Sequence, residues 1–229
     1  MNIFITGHTS GLGKAIAIHA INNNLSVFGL SRSELRNKNI IQQKCNFEML
    51  GEIPVALRKF PFKKNVDLVV LNAAELGEFL EFEKINLENI KKVLNINTWS
   101  NKVIVDFFIE KEINIKQLIF ITSGASLRSD NGWGSYTISK LIINKFAEFY
   151  AQTLKNTHVC ALSPGIIDTK MQKELRKLSS SRFPSIDRLK NTFDNNELPS
   201  AEFIAQLLLS KLKKIRQHKS GSYIKLISL

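Results

Sequence analysis

The chain has 229 residues, 44% of them hydrophobic, and its formal net charge at pH 7 is +12. This length and apolar content predict an ordinary globular chain of one domain, residues 1–229, whose core needs no disulfide or metal. No apolar run approaches the length of a membrane span, and the first residues already resemble a strand. We therefore expect neither a transmembrane helix nor a signal peptide.

Apolar runs typical of strands alternate along the chain with amphipathic stretches of helical period. Strands are predicted at Asn2–Thr6, Ser26–Ser31, Asp67–Asn72, Gln117–Ser123, His158–Ser163 and Ser222–Ile227. Helices are predicted at Gly11–Asn23, Phe47–Lys59, Leu87–Glu110, Tyr136–Leu154 and Ser200–Lys214. The alternation predicts an α/β fold, a Rossmann-like doubly wound parallel sheet of about seven strands with helices on both faces.

A glycine-rich turn joins the first predicted strand to the first predicted helix. Its sequence, Thr6-Gly7-His8-Thr9-Ser10-Gly11-Leu12-Gly13, has the spacing G-x-x-x-G-x-G. Glycines let the backbone approach phosphates, and the N-terminus of a helix offers N–H groups and partial positive charge to them. The turn predicts a dinucleotide cradle, with a simple tight turn as the alternative. His8 is expected to face solvent or phosphate.

The end of the second predicted strand bears on the choice of cofactor. Enzymes that prefer NAD place an acidic residue there to hold the ribose hydroxyls. This chain has Ser31-Arg32-Ser33 instead, and a guanidinium can pair with a 2′-phosphate. We therefore expect NADP(H) to be preferred, with NAD(H) as the alternative.

The basic net charge is explained by solvent-exposed lysines and does not by itself indicate a nucleic-acid-binding surface. Lysines are scattered over the polar faces of predicted helices, and only Lys211–Lys219 forms a cluster. We predict no nucleic-acid or membrane partner, although a basic pocket would attract a phosphorylated cofactor.

Cys45 and Cys160 lack the spacing of metal ligands, which predicts buried, reduced thiols in a cytoplasmic protein without a metal.

Tyr136 and Lys140 are four residues apart on one predicted helix, 13 residues after Ser123. Positions i and i+4 share a helix face, so the ammonium is expected to lower the pKa of the phenol from its usual value of about 10. Such a phenol can give a proton to a carbonyl oxygen while a hydride reaches the carbon.

The segment from Gln172 to Pro199 is predicted to be irregular, since it contains three consecutive serines and two prolines. It follows a Pro-Gly turn at the carboxyl end of a strand, where ligands bind in sheets of this kind. We interpret residues 172–199 as a substrate lid. Trp133 either shapes the substrate pocket or is a packed aromatic, and Asp168 is expected to organise the turn and cap the next helix.

In order along the chain, the glycine turn, Asn72-Ala73-Ala74, Asn97, Ser123, Tyr136-Thr137-Ile138-Ser139-Lys140 and Pro164-Gly165 resemble the short-chain dehydrogenases/reductases. The resemblance implies a tetrad of Asn97, Ser123, Tyr136 and Lys140. Tyr136 would be the general acid, Ser123 would bind the substrate carbonyl, Lys140 would hold the nicotinamide ribose, and Asn97 would bind a relay water. Ala74 departs from the usual glycine of the family.

The same resemblance, with the arguments above, implies a set of cofactor-binding residues. They are Gly7, Thr9, Ser10, Gly11, Leu12, Gly13, Ser31, Arg32, Asn46, Asn72, Ala73, Tyr136, Lys140, Pro164, Gly165, Ile167 and Thr169. Thr169 would bind the nicotinamide carboxamide, and Asn46 stands where the family often has an aspartate near the adenine. A homodimer or homotetramer built on the Leu87–Glu110 and Tyr136–Leu154 helices is also implied.

A narrower similarity points to a substrate. Gly132-Trp133 and the run from Pro164 to Gln172 are similar to the sepiapterin reductase/benzil reductase group. Pterin-binding members place an acidic residue in the last strand, where this chain has Lys225, so a neutral or anionic dicarbonyl fits better than a pterin. We expect an NADPH-dependent reductase of a small ketone or vicinal dicarbonyl. The alternatives are an enzyme of sugar or secondary-metabolite alcohols and a non-catalytic NADP(H)-binding regulator.

Overall fold

Seven parallel strands form one sheet in the computed structural model, which describes residues 1–229. The order is β3-β2-β1-β4-β5-β6-β7, and every neighbouring pair is parallel. The strands are β1 Asn2–Thr6, β2 Ser26–Ser31, β3 Ile40–Lys44, β4 Asn65–Leu71, β5 Asn114–Ile121, β6 His158–Ser163 and β7 Tyr223–Lys225. The strand order reverses between β1 and β4, which opens a crevice at their carboxyl ends.

Nine α-helices cover the sheet. They are α1 Gly11–Asn22, α2 Glu52–Leu57, α3 Leu87–Leu94, α4 Ser100–Glu110, α5 Gly134–Thr153, α6 Lys170–Arg176, α7 Ser185–Asp194, α8 Ala201–Ser210 and α9 Leu212–Ile215. A π-helical stretch, Asn95–Trp99, joins α3 to α4, and 3₁₀ turns lie at Phe82–Lys84, Gly124–Leu127 and Leu226–Ser228. None of these helices combines the length and apolar character that a membrane crossing requires.

The sheet separates two hydrophobic cores, because successive side chains of a strand point to opposite faces. In β1, Phe4 packs into the core under α2, α4 and α5, while Ile3 and Ile5 pack under α1 and α8. In β5, every residue from Leu118 to Ile121 is buried, as expected for a strand covered on both faces. The predicted α/β fold with a doubly wound parallel sheet is confirmed.

Two local predictions are wrong in detail. The strand β3 was not predicted, because the sequence Ile-Ile-Gln-Gln-Lys is short and polar and pairs only with β2 at the edge of the sheet. The helix predicted at Phe47–Lys59 is only α2, Glu52–Leu57. Residues 46–50 form a turn in which the Met49 N–H donates to the Asn46 carbonyl, and Pro54 lies in the first helical turn, where its missing N–H costs little.

The segment 172–199 is not irregular, which corrects the prediction. It contains most of α6 and all of α7, and the prolines and serines mark only the connections. Leu175, Ile186 and Leu189 are buried in a small third core with Trp133 and Phe183. Two amphipathic helices too short to be recognised by their period therefore pack over the carboxyl end of the sheet.

Candidate active site

One cavity of about 770 Å³ opens at the carboxyl ends of the strands. At one side, here called the β2 end, it is lined by Gly7, Thr9–Leu12 and Ser31–Ser33. At the other side, the α7 end, it is lined by Ala125, Arg128, Trp133, Met171, Gln172, Leu175, Arg188 and Leu189. Ser123, Tyr136 and Lys140 lie on the wall of the same cavity.

Close backbone packing shapes the glycine turn. Gly7 and Gly11 have φ of +70° and +50°, which side chains disfavour. A Cβ on Gly13 would lie 2.2 Å from the Gly7 carbonyl oxygen and 2.5 Å from Asn72 Nδ2. Asn72 Nδ2 donates to the Thr6 carbonyl at 3.1 Å, so β4 holds the turn from behind. Gly13 itself does not line the cavity; its role is to let α1 approach the turn.

His8 is fully buried, which corrects the expectation that it faces solvent or phosphate. Its Nε2 lies 2.8 Å from Gln42 Oε1 on β3, and burial lowers the pKa of the imidazole. The ring occupies space that Gly29 leaves on β2, since a Cβ there would come within 2.6 Å of it. The missing side chain of Gly29 is therefore the reason that His8 folds inward.

Hydroxyl groups and one guanidinium occupy the β2 end. Thr9 Oγ1 lies 3.2 Å from Ser31 Oγ and accepts from Ser33 Oγ at 3.1 Å, beside the exposed Arg32. Asn46 does not reach the cavity, because its Oδ1 accepts from the Glu48 N–H.

Tyr136 and Lys140 lie on one face of α5, and Ser123 begins the 3₁₀ turn after β5. Lys140 Nζ is 5.6 Å from the centroid of the Tyr136 ring and donates to the Ile121 carbonyl at 2.8 Å. Ser123 Oγ accepts from the Ala125 N–H at 3.1 Å. Three of the four candidate catalytic residues are thus brought together at the cavity wall.

The acid–base properties of the pair differ from the sequence-based expectation. Burial raises the pKa of Tyr136 to about 12, and a hydrogen bond with the Ser123 hydroxyl offsets only part of this effect. Burial also lowers the pKa of Lys140 to about 8. Loss of water disfavours the charged form of both groups, and this outweighs the attraction expected between them. Tyr136 is therefore protonated at neutral pH, as a proton donor must be.

Asn97 is fully buried in the π-helical stretch and lies outside the cavity. Its Nδ2 donates to the Glu75 carbonyl at 2.8 Å and to Ser139 Oγ at 3.0 Å, and its Oδ1 accepts from the Glu75 N–H at 2.8 Å. Its main-chain carbonyl accepts from Asn101 Nδ2 at 2.7 Å. These bonds tie the loop after β4 to α5, so the geometry gives Asn97 a positioning role.

A chain of side-chain hydrogen bonds supports Ser123 from the opposite side. Thr122 Oγ1 donates to Asn144 Oδ1 at 2.7 Å, and Asn144 Nδ2 donates to Ser126 Oγ at 2.9 Å. Ser126 Oγ in turn donates to the Ser123 carbonyl at 2.6 Å. No sequence motif points to Asn144, which lies one helical turn after Lys140.

The turn after β6 lines the middle of the cavity with Pro164, Gly165, Ile167 and Thr169. Thr169, and not Asp168 as expected, caps α6, since its Oγ1 accepts from the Gln172 N–H. Asp168 instead pairs with Arg176 at 3.3 Å. These contacts anchor α6 beside the turn.

Trp133 fulfils both expectations for it. It lines the cavity while packing against Phe79 and donating from Nε1 to Ser185 Oγ at 2.8 Å. Arg128, Arg188 and Tyr223 also line the cavity, although they are not among the predicted site residues. Arg128 is close to Ser123 in the sequence, and this proximity could have indicated that it lies near the site. The position of Arg188 depends on how α7 packs, so the sequence offers no comparable signal.

A parallel sheet with this strand order, a glycine turn at its crevice and a tyrosine–lysine pair on the same cavity wall define an NAD(P)(H)-dependent oxidoreductase acting on C–OH and C=O groups. The family model described as short chain dehydrogenase matches residues 1–179, and the chain belongs to that family. The benzil reductases ((S)-benzoin forming) of Bacillus cereus and Bacillus subtilis are 27% and 26% identical to it.

These alignments are nearly full length. They cover 92% of this chain with 93% of the Bacillus cereus protein, and 92% of it with 92% of the Bacillus subtilis protein. The solved structure of a short-chain dehydrogenase/reductase from Saccharomyces cerevisiae superposes with a TM-score of 0.86 at 22% identity, over 98% of this chain and 95% of the other. The shared fold thus extends beyond the matched family model to the last strand.

Proposed function

We propose that the protein is an NADPH-dependent carbonyl reductase that acts on a small ketone or vicinal dicarbonyl compound. The observation that carries the proposal is that Ser123 and Tyr136 face the same cavity as the glycine turn. The similarity to benzil reductases over nearly the whole chain supports the dicarbonyl class.

Tyr136 gives its proton to the carbonyl oxygen as the carbonyl carbon is reduced. Its raised pKa keeps the proton in place until the substrate develops negative charge on that oxygen. The Ser123 hydroxyl donates a hydrogen bond to the same oxygen and stabilises that charge. Lys140, with its ammonium 5.6 Å from the phenol ring, favours loss of the proton and binds the ribose hydroxyls.

Bound NADPH supplies the hydride. The residues at the β2 end fit its polar half: α1 presents its N-terminus to the pyrophosphate, and the glycine turn leaves room for close backbone approach. Ser31 and Arg32 bind the 2′-phosphate, and no carboxylate lines this end of the cavity to favour NAD(H). Arg32→Ala is expected to weaken NADPH binding about tenfold and leave NADH binding unchanged.

The remaining predicted cofactor residues surround the nicotinamide half. Asn72 and Ala73 follow β4, and Pro164, Gly165, Ile167 and Thr169 follow β6. Apart from Tyr136 and Lys140 on α5, these residues therefore lie in the turns that follow strands. Residues 172–199 form a lid that closes over the substrate, since α6 and α7 cover this end of the cavity with Leu175 and Leu189.

The assembled state we propose is a homodimer or homotetramer in the cytoplasm. Large apolar side chains are exposed on the neighbouring α4 and α5 region, with Trp99, Leu141 and Phe149 among them. Burying such a surface between subunits is favourable. The free, buried thiols of Cys45 and Cys160 suit a reducing compartment.

The test is NADPH consumption, followed by absorbance, with benzil, other vicinal diketones, sepiapterin and simple ketones. Tyr136→Phe is the control, since it removes the proton donor and keeps the ring. We expect turnover of a diketone that falls by about 10²–10⁴-fold in the variant. Binding of NADPH without turnover of any carbonyl compound would contradict the proposal and favour a sensor.

A further inference from the structure

The cavity is lined by far more positive than negative charge. Its cationic side chains are Arg32, Arg128, Lys140, Lys170, Arg188 and Lys225. The single carboxylate on its wall, that of Glu75, lies 3.3 Å from Lys92 and is already paired. Such a lining favours ligands that are anionic in total, and the question is whether the cofactor accounts for all of that charge.

Two of these cations belong to the α7 end, far along the sheet from the β2 end. Arg32 follows β2, whereas Arg128 follows β5, and β1 and β4 lie between those strands. Arg128 Nη2 lies only 3.9 Å from the point that a Cβ on Gly124 would occupy, directly after Ser123. Arg128 is thus near the group that binds the substrate carbonyl, and Arg188 reaches the same region from α7.

The two guanidinium groups converge on one carboxylate. Arg128 Nε donates to Asp130 Oδ2 at 3.2 Å, and Arg188 Nη2 lies 4.0 Å from the same oxygen. One negative charge is shared by two positive ones, which leaves an excess of one. Burial, and to a smaller extent the charge of Arg128, lowers the pKa of Arg188, while the charge of Asp130 raises it. The side chains of Arg128 and Arg188 are 43% and 44% exposed, and both residues line the cavity.

Apolar side chains line the same end of the cavity as this pair of arginines. Trp133, Leu175 and Leu189 line the same end of the cavity and would contact an aryl or alkyl group. A planar guanidinium fork matches a carboxylate, and the excess of one charge matches a monoanion better than a phosphate. The pocket therefore has the parts to bind a carbonyl compound with an apolar body and one acidic group.

Resting on the reductase function proposed above, we propose that the substrate is a keto acid whose carboxylate is bound by Arg128 and Arg188. The hydride adds to the ketone carbon and the Tyr136 proton adds to the ketone oxygen, so NADPH is oxidised and the ketone becomes a secondary alcohol. The carboxylate is unchanged and serves only to position the substrate. The product is a hydroxy acid.

The first test needs only the wild-type enzyme. Benzoylformate, benzoylacetate and 3-benzoylpropionate place a carboxylate at three distances from an aryl ketone, and the methyl ester of each removes only the charge. We expect kcat/KM for at least one acid to exceed that of its ester by about 10- to 100-fold, the usual effect of a charged hydrogen-bonding partner. Equal rates for every acid and its ester would overturn the proposal while leaving the reductase intact. Turnover of none of these compounds, nor of benzil, would contradict the reductase function itself.

The second test assigns the preference to the arginines. Arg128→Ala and Arg188→Ala are expected to abolish the acid-over-ester ratio, mainly through KM, and to leave the Kd for NADPH within about twofold of wild type. Lys190→Ala, which removes a charge from α7 outside the cavity lining, is the matched control and should keep the ratio.

Three outcomes count against the assignment. One is that both arginine variants keep the acid-over-ester ratio, and another is that both weaken NADPH binding tenfold, which would give these cations to the cofactor. The third is that Arg128→Lys and Arg188→Lys behave like wild type, since the proposal requires the fork and not charge alone. Thermal denaturation of each variant shows whether it is folded. If an alanine variant is unfolded, the lysine variants and the acid–ester comparison with the wild-type enzyme still test the assignment of the carboxylate to the two arginines.

Discussion

The two ends of the cavity are built differently. The β2 end is made mostly of backbone, since Gly7, Gly11 and Gly13 serve through their lack of side chains and α1 through its N-terminus. The α7 end is made of side chains from separate parts of the chain, such as Arg128, Trp133 and Arg188. A backbone-built site depends on local sequence and tolerates little change, whereas a side-chain-built site depends on packing and can change its ligand.

The largest effect is expected at the β2 end. In Gly13→Ala the new Cβ would lie 2.2 Å from a backbone oxygen that cannot move aside. We expect the free energy of unfolding to fall by about 3 kcal/mol, the melting temperature by roughly 6–12 °C, and NADPH binding to be lost. Gly51→Ala is the control, because a Cβ there meets nothing within 4 Å. Equal stability of the two variants would refute the close packing of α1 on the turn.

The pH dependence of kcat/KM reports on Tyr136 and Lys140, which lie on the cavity wall between the two ends. The pKa of Lys140 is lowered to about 8 and that of Tyr136 is raised to about 12, so only the lysine changes charge near neutral pH. The ammonium is present below pH 8 and lost above it, and kcat/KM for reduction should therefore be flat below about pH 8 and decline above it. Lys140→Arg, whose charge persists, should lose this decline even though its rate is lower. An unchanged profile in that variant would assign the titration to another group.

Asn144→Ala tests the hydrogen-bond chain that runs from Thr122 through Asn144 and Ser126 to the Ser123 carbonyl. The substitution leaves the Thr122 and Ser126 hydroxyls without their amide partner, at a cost of about 2 kcal/mol in stability. We expect kcat to fall about tenfold because Ser123 is less well held, with the Kd for NADPH unchanged. Gln152→Ala, exposed on the same helix, should have no effect on kcat. A loss confined to NADPH binding would place the role of Asn144 elsewhere.

The smallest effect is expected at the contact between the α6–α7 connection and the loop after β4. Arg182 binds Glu81 through Nε at 2.9 Å and Nη2 at 2.6 Å, and this partner holds the pKa of the Glu81 carboxyl at about 2. Arg182→Ala should raise KM about two- to threefold, and added salt should mimic it, since the pair is exposed. Lys177→Ala, which breaks the pair between Lys177 at the C-terminal end of α6 and Glu174 within it, should leave KM unchanged. A KM that responds equally to both substitutions would mean that the contact does not position residues 172–199.

The sequence predicts well what is determined locally. The strand Asn2–Thr6 and the turn after it are correct because apolar period and glycine spacing act within a few residues. The inward orientation of His8 could not be read from its own neighbours, since it depends on the absence of a side chain at Gly29 on another strand. The expected lowering of the Tyr136 pKa is wrong, because burial raises that pKa instead. The degree of burial depends on all the residues that pack around the phenol, which the sequence of one helix does not show.

The α7 end shows the limit of such prediction most clearly. Helices α6 and α7 have 7 and 10 residues, which is too short for a convincing period beside serines and prolines. Arg188 is one of many cations in a basic chain, and it lines the cavity because α7 packs there through Ile186 and Leu189. Specificity here follows from tertiary structure, so it can diverge among relatives that keep the same glycine turn.

The excess of positive charge around the cavity also affects how fast ligands arrive. A cleft lined by one sign of charge concentrates counter-charged molecules at its mouth and raises their association rates. Since the whole chain carries +12, an anionic NAD(P)H molecule and any anionic substrate encounter a field that favours capture before contact. The Debye length is about 8 Å at physiological ionic strength, so moderate salt already removes much of this attraction. Turnover measured in concentrated buffers would therefore understate the capture efficiency of the enzyme, while the rate of the chemical step would be nearly unaffected.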